Sequence, residues 1–178
     1  LERLFKTICN ESLTSMVWRI PEVEDRLKFL TDQVERITGL QEFGVYLNKL
    51  FTIDAIFLNE DRHMHNIAVM MNGKGEFDYC PIFDNGGALL TDTTMDYPLD
   101  QDELLLMKEV HAKTISSDFD EQLDASEHFY GRNLRFSFTK KDVERLLAKP
   151  ELNMYDMRIR TRVTNIFYQQ MNKYKYLF

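Results

Sequence analysis

Asp61, Asn66 and Asp84 are spaced for chemistry on a phosphate group. Moving a γ-phosphoryl group needs little covalent help and much positioning: a carboxylate for the attacking hydroxyl, and oxygen ligands for magnesium bridging the phosphates. The stretch Ile56 to Leu90, IFLNEDRHMHNIAVMMNGKGEFDYCPIFDNGGALL, carries the three in a usable order. A D-x-x-x-x-N loop sets its carboxylate and its amide at opposite ends of one turn, so one can face a hydroxyl while the other faces a metal. A β-hairpin then returns the chain with Asp84 in Phe83-Asp84-Asn85-Gly86, where glycine lets the backbone pass close to bound phosphates. Magnesium takes few protein ligands, all oxygen, and one Asp with one Asn suits it. Either motif alone is an ordinary loop, since D-N-G-G is also a good turn. Both together, in order across a hairpin and after a buried helix, point to one site.

The string Asn59-Glu-Asp61-Arg-His63-Met-His-Asn66, followed by Pro81-Ile-Phe-Asp84-Asn, resembles the catalytic and metal-binding motifs of HipA-like serine/threonine kinases, the bacterial toxin-antitoxin kinases, whose pattern is N-x-D-x-H-x-x-N. Phosphatidylinositol 3/4-kinases resemble it more distantly, through Asp61-Arg62-His63 and Asn66, but they usually carry D-F-G where this chain has Asp84-Asn85-Gly86. That departure favours the HipA side. The resemblance implies ATP and Mg²⁺ as cofactors, Asp61 as catalytic base, and His63 in place of the lysine that protein kinases set beside the transferred phosphate. It implies Asn66 and Asp84 as metal ligands, and Asn59, Asn66 and Asp84 as the nucleotide-binding set. A protein substrate and an antitoxin are the partners it implies.

The elements that must hold these residues can be read from periodicity. Leu1, Leu4, Phe5, Ile8, Cys9, Leu13, Met16, Val17 and Ile20 recur at helical steps, giving one amphipathic helix that stops before Pro21. Val23, Leu27, Leu30, Val34 and Ile37 repeat the pattern up to a capping Gly39. From Gly44 to Leu58 the apolar residues go nearly all round, the mark of a helix buried on most sides, and it ends at the loop that carries Asp61. Asp54 inside it must have a structural partner. Ile67 to Met71 and Phe77 to Phe83 read as strands joined across Asn72-Gly73-Lys74-Gly75. Gly73-x-Gly75 lies after the catalytic loop and is no phosphate-binding loop. Gly86 to Tyr97 then has the position of an activation segment, with Thr91, Thr93 and Thr94 open to modification. Further helices are expected from Leu104, from Asp118, after the capping pair Thr139 and Asp142, and along Ile159, Val163, Ile166, Phe167 and Tyr174. The composite is mainly α with a small β-hairpin, a protein-kinase-like larger, C-terminal lobe over residues 1–178.

With 178 residues and 44% hydrophobic content the chain suits one soluble domain. Cys9 and Cys80 form no C-x-x-C pair, which suggests neither a zinc ribbon nor a disulfide scaffold and leads to a cytoplasmic expectation. No apolar run approaches the ~18 residues of a membrane span, and the N-terminus lacks a signal peptide's order. The net charge of −7 is uneven. Asp92, Asp96, Asp100, Asp102, Glu103, Glu109, Asp118, Asp120, Glu121, Asp124 and Glu127 face only Lys108 and Lys113, an imbalance that repels phosphates and anionic lipid. Beyond Asp156 the charges are all basic, among them Arg158, Arg160, Arg162, Lys173 and Lys175. Cations near a helix end explain the last two better than a nucleic-acid surface does.

Upstream of Gly44 there is neither a glycine-rich loop nor a lysine-bearing strand, so the smaller kinase lobe is missing from this stretch. The expectation is a piece of a longer kinase, weak or inactive by itself. Alternatives are a smaller lobe supplied by another polypeptide, or an inactive relative that serves as a binding module. A zinc site from His63 and His65 with His111 or His128 is a further alternative, although the spacing fits no zinc motif.

Overall fold

A helix that is apolar on nearly every side is stable only where other elements cover it, and residues Phe43–Phe57 meet that condition. The computed structural model describes residues 1–178. In chain order the helices are α1 (Glu2–Cys9), α2 (Leu13–Trp18), α3 (Val23–Thr38) and α4 (Phe43–Phe57). A hairpin of β1 (Val69–Met71) and β2 (Phe77–Tyr79) follows, then α5 (Glu103–Glu109), α6 (Phe119–Tyr130), α7 (Lys140–Leu147) and α8 (Met157–Lys173). The chain is thus mainly helical with one small antiparallel sheet. No helix is long and apolar enough to cross a membrane.

α4 belongs to two cores at once. Its first turns, through Phe43, Leu47, Leu50 and Phe51, pack with Phe5, Leu13, Leu27, Leu30 and Val34 from α1 to α3. Its last turn, through Ala55 and Ile56, packs with Leu106, Leu123, Val143, Ile166 and Phe167 from α5 to α8. The loop that leaves α4 is therefore anchored in both cores. Asn48, fully buried on α4, ties in α6 and the chain beyond it: its Nδ2 donates to Ser126 Oγ at 3.0 Å, and its Oδ1 accepts from Asn133 N at 3.0 Å. Asn48→Ala leaves those groups without partners in a dry interior, at a cost of about 1–3 kcal/mol. Thermal unfolding of this variant should show a midpoint several degrees lower, with helix content unchanged before the transition.

Two expectations from periodicity need correction. The opening stretch is not one helix. Asn10 turns left-handed at φ 55°, and Ser12 restarts the chain by accepting the Ser15 N–H. Glu2 completes the fold-back by accepting both the N–H and the hydroxyl of Thr14 at 2.8 Å. Short polar side chains that bond locally to the backbone overrode a continuous apolar stripe. The strands are also shorter than Ile67–Met71 and Phe77–Phe83. Only Val69–Met71 pairs with Phe77–Tyr79, in the register Val69↔Tyr79. Pro81 has no N–H to give a ladder, and the carbonyls of Asn66 and Phe83 are taken by Arg62 instead. Within the turn it is Gly75, at φ 80°, that adopts the left-handed conformation, after a turn closed by Gly75 N to Asn72 O at 3.0 Å. The later helices lie where expected, and Thr139 with Asp142 forms the complete capping box.

Candidate active site

α4 ends at Leu58 with a left-handed residue at φ 50°, which swings the chain off the helix and into Asn59–Asn66. Turns inside the loop are closed by His63 N to Asp61 O and by Asn66 N to His63 O, both at 2.9 Å. Asn66 Nδ2 donates back to the Asp61 carbonyl at 2.9 Å and to Asp61 Oδ2 at 3.0 Å. The amide of Asn66 thereby fixes one oxygen of Asp61, and no protein donor reaches its own Oδ1. His63 Nε2 lies 3.5 Å from the other oxygen of Asp61, with the two side chains 40% and 43% exposed. Because His63 Nδ1 accepts the His65 N–H at 3.3 Å, a neutral imidazole carries its proton on Nε2, toward Asp61.

Arg62 stands at the centre of the site. Its side chain is 1% exposed and forms an ion pair with Asp54, itself 0% exposed. Nε lies 3.0 Å from Asp54 Oδ2 and Nη2 lies 3.2 Å from Oδ1. Asp54 thus has the structural partner its burial demands. Desolvation pushes the Asp54 carboxyl up to about 6, with Arg62 and Asn59 pulling the other way. The same guanidinium reaches outward. Nη1 donates to Asn66 O at 2.9 Å and to Phe83 O at 2.6 Å, and Nη2 donates to Asn85 Oδ1. A single nitrogen that serves carbonyls 66 and 83 must hold their segments side by side. Arg62 so brings together the loop with Asp61 and Asn66 and the segment with Asp84. Thr114 adds a hydroxyl bond to the Arg62 carbonyl, which fastens the loop to the chain before α6.

Asp84 sits in the left-handed region at φ 56°, a conformation that Asp tolerates better than most residues. Its carboxylate is exposed and makes no hydrogen bond or ion pair within the chain. Gly87, three residues on, lies against Asp61: a Cβ there would stand 3.1 Å from Asp61 Cβ. A side chain at this point would press on the Asp61 Cβ and require a small shift there. Asn59 takes a different place from the one the resemblance implies. It is 1% exposed, donates from Nδ2 to Asp54 Oδ1 at 2.9 Å, and accepts the Asp61 N–H at 3.4 Å. In this geometry Asn59 lies beneath Asp61 and supports it from the protein side.

Beside the loop opens a cleft of about 580 Å³ lined by Glu60, Asp61, Gly86, Gly87, Thr91, Asp92, Asp96, Tyr97 and Lys113. Tyr97 donates its hydroxyl to Glu60 at 2.7 Å, and burial and the Glu60 carboxylate both push its phenol pKa up. Lys113, 3.8 Å from Glu60, is the one cation in this lining. Sequence spacing did not single out Arg62, Asn85, Gly87 or Lys113. The Asp61-Arg62-His63 triplet held a signal for the first and the D-N-G-G run one for Asn85 and Gly87, while nothing local marked Lys113.

The oxygens of Asn66 and Asp84 that accept from no protein donor, on segments that Arg62 joins, are of the type that a hard cation such as magnesium takes as ligands. No group of three or more His, Cys, Asp or Glu is arranged to hold a metal ion. The alternative zinc site is therefore not assembled: His111 lines a pocket between α5 and α6, and His128 lines another beside the start of α3. No protein-family model, characterised protein or solved structure matches the chain. The site is read from its own residues.

Proposed function

We propose that the chain carries the larger catalytic lobe of an ATP- and magnesium-dependent kinase of HipA-like type, one that phosphorylates serine or threonine in a protein. The observation that carries this reading is the Arg62 junction, which sets the Asp61–Asn66 loop beside the Asp84 turn with the Asn66 Oδ1 and Asp84 oxygens free of protein partners. An inactive binding module has no need of that arrangement.

Magnesium with bound ATP would supply the transferable phosphoryl group and screen its charge. Asn66 Oδ1 and the Asp84 carboxylate would hold that cation. Asp61 accepts the proton of the acceptor hydroxyl, and its orientation is fixed by Asn66 Nδ2 and by Asn59 through the Asp61 N–H. His63, 3.5 Å from Asp61, can turn Nε2–H toward the developing negative charge. The remaining cleft wall, with Glu60, Asp92 and Asp96, favours an acceptor flanked by lysine or arginine and disfavours anionic lipid. The antitoxin, the cytoplasmic setting and a smaller lobe from elsewhere in the protein or from a partner belong to the same proposal.

Radiolabelled ATP offered to the full-length protein with a basic protein substrate and phosphoinositide vesicles side by side tests it. Label is expected on serine or threonine of the protein. Label in the lipid alone would replace this reading with a lipid kinase, and label in neither would leave the binding module.

A further inference from the structure

One carboxylate of the cleft besides Asp61 is held in place and half-buried. Glu60, the residue before Asp61, has its side chain 21% exposed, and its two oxygens differ. Oε1 accepts the Tyr97 hydroxyl at 2.7 Å. Tyr97 is buried, and Arg162, also buried, holds its carbonyl, so the phenol is a fixed prop that orients the carboxylate without neutralising it. Oε2 accepts no hydrogen bond within the chain, and Lys113 Nζ stands 3.8 Å from it, beyond hydrogen-bond length. Asp92 and Asp96 differ from Glu60 in being exposed, and Asp92 Oδ1 is already occupied by the N–H groups of Thr94 and Met95. Salt and water screen such exposed charges, whereas a fixed carboxylate drawn partly out of water needs a partner.

Lys113 is a loose partner on a rigid base. Its neighbours Ala112, Thr114, Ile115 and Ser116 are all buried. Thr114 Oγ1 ties this backbone to Arg62 O, and Arg26 Nη1 ties it through Ile115 O. Only the lysine side chain, 49% exposed, leaves this pedestal, on a flexible four-carbon stem. An exposed ion pair of this kind is weak and exchanges readily.

We propose that Glu60 selects the acceptor by binding a lysine or arginine beside the accepting serine or threonine, and that Lys113 holds this place until a substrate base displaces it. The inference rests on the kinase reading above and assigns the substrate preference of that site to one carboxylate. Glu60 and Asp61 are consecutive, with Cα atoms about 3.8 Å apart, so a segment whose hydroxyl reaches Asp61 brings its own flanking residues to Glu60. An ammonium or guanidinium there can close to hydrogen-bond distance on Oε2, which Lys113 does not. Lys113 then swings into water, and the pedestal beneath it need not move.

The test uses full-length wild type, Glu60→Gln, Lys113→Ala and the double variant, with magnesium, ATP and two serine peptides. The peptides differ only in carrying lysine, or its uncharged counterpart norleucine, on both sides of the serine. The readout is the ratio of kcat/KM for the lysine peptide to that for the norleucine peptide, in which effects on the fold or on the chemical step cancel. Glu60→Gln keeps an oxygen for Tyr97 but loses the charge, and the ratio should fall about tenfold, as for the loss of one charge-assisted hydrogen bond. Lys113→Ala should instead raise the ratio several-fold, chiefly through a lower KM for the lysine peptide. Lys113→Arg should bring it back toward wild type. The double variant should match Glu60→Gln, because Lys113 acts through Glu60. Binding of the fluorescently labelled lysine peptide to Asp61→Asn, where no turnover occurs, should weaken by a similar factor when Glu60→Gln is added. A ratio unchanged in Glu60→Gln, or lowered in Lys113→Ala, would overturn this proposal and leave the kinase reading standing. Absence of transfer from wild type to any acceptor would remove the kinase reading, and this proposal with it.

Discussion

Replacing Asp61 by Asn is expected to abolish phosphoryl transfer by the full-length protein while its magnesium-dependent nucleotide binding survives. The substitution keeps the shape of the side chain, so an oxygen can still accept from Asn66 Nδ2, which now holds Asp61 Oδ2 at 3.0 Å. What disappears is a group able to take a proton, and positioned acid-base groups contribute about 10²–10⁴-fold to rate. Asp84→Asn should differ in kind. Asp84 has no protein partner to lose, so the fold is untouched, but the charge that offsets a divalent cation is gone. Its signature is a raised requirement for magnesium and a weakened metal–nucleotide complex, with recovery at high metal concentration. Single-turnover rates and nucleotide titrations at several magnesium concentrations separate the two. Wild-type rates in both variants would sink the assignment of base and metal ligand together.

How much of this was legible in the sequence depended on whether the determinant was local. α4 was legible because a helix buried all round leaves a continuous apolar run, and its end fixed where the loop begins. The positions of Asp61, Asn66 and Asp84 followed from spacing and a hairpin signal. The break at Asn10 to Ser12 was not legible, because it turns on a competition between side-chain and backbone partners that apolar spacing ignores. The Arg62 hub was hidden for a different reason. A charged residue in a loop between two polar ones ordinarily points to water, and only the meeting of α4, the loop and the Asp84 segment removes it from solvent. The acidic stretch was legible as charge and not as structure. Asp102 and Asp118 cap α5 and α6, Asp120 pairs with Lys173, and Glu127 pairs with Arg132. Asp92 and Asp96 remain at the cleft, and there the charge bears on what can bind.

Arg62→Met is expected to lower stability substantially, and by an amount that grows with pH. The substitution strands a fully buried Asp54 and leaves Asn66 O, Phe83 O and Asn85 Oδ1 without the donor that joins them. Removing one partner of a buried ion pair costs about 3–5 kcal/mol, which for a chain of this size lowers Tm by on the order of 10 °C. The pH dependence has a definite sign. In the folded wild type burial holds the Asp54 carboxyl at about 6, above its ordinary 3.8. A group with a raised folded value contributes stability that is fully present below the ordinary value and is lost as pH rises through the folded one. Arg62 is what limits the rise, so in Arg62→Met the folded value moves higher and the loss extends further toward neutrality. The Tm difference between wild type and Arg62→Met should therefore widen from about pH 4.5 to pH 7.5. The double variant Asp54→Asn/Arg62→Met should remove the widening and keep the constant part, which belongs to the stranded carbonyls. Nucleotide binding by Arg62→Met below its melting range should weaken as well, since Asn66 and Asp84 lose their common support. A Tm difference independent of pH, or one that vanishes, would mean that Asp54 and Arg62 do not form the buried pair on which this site is built.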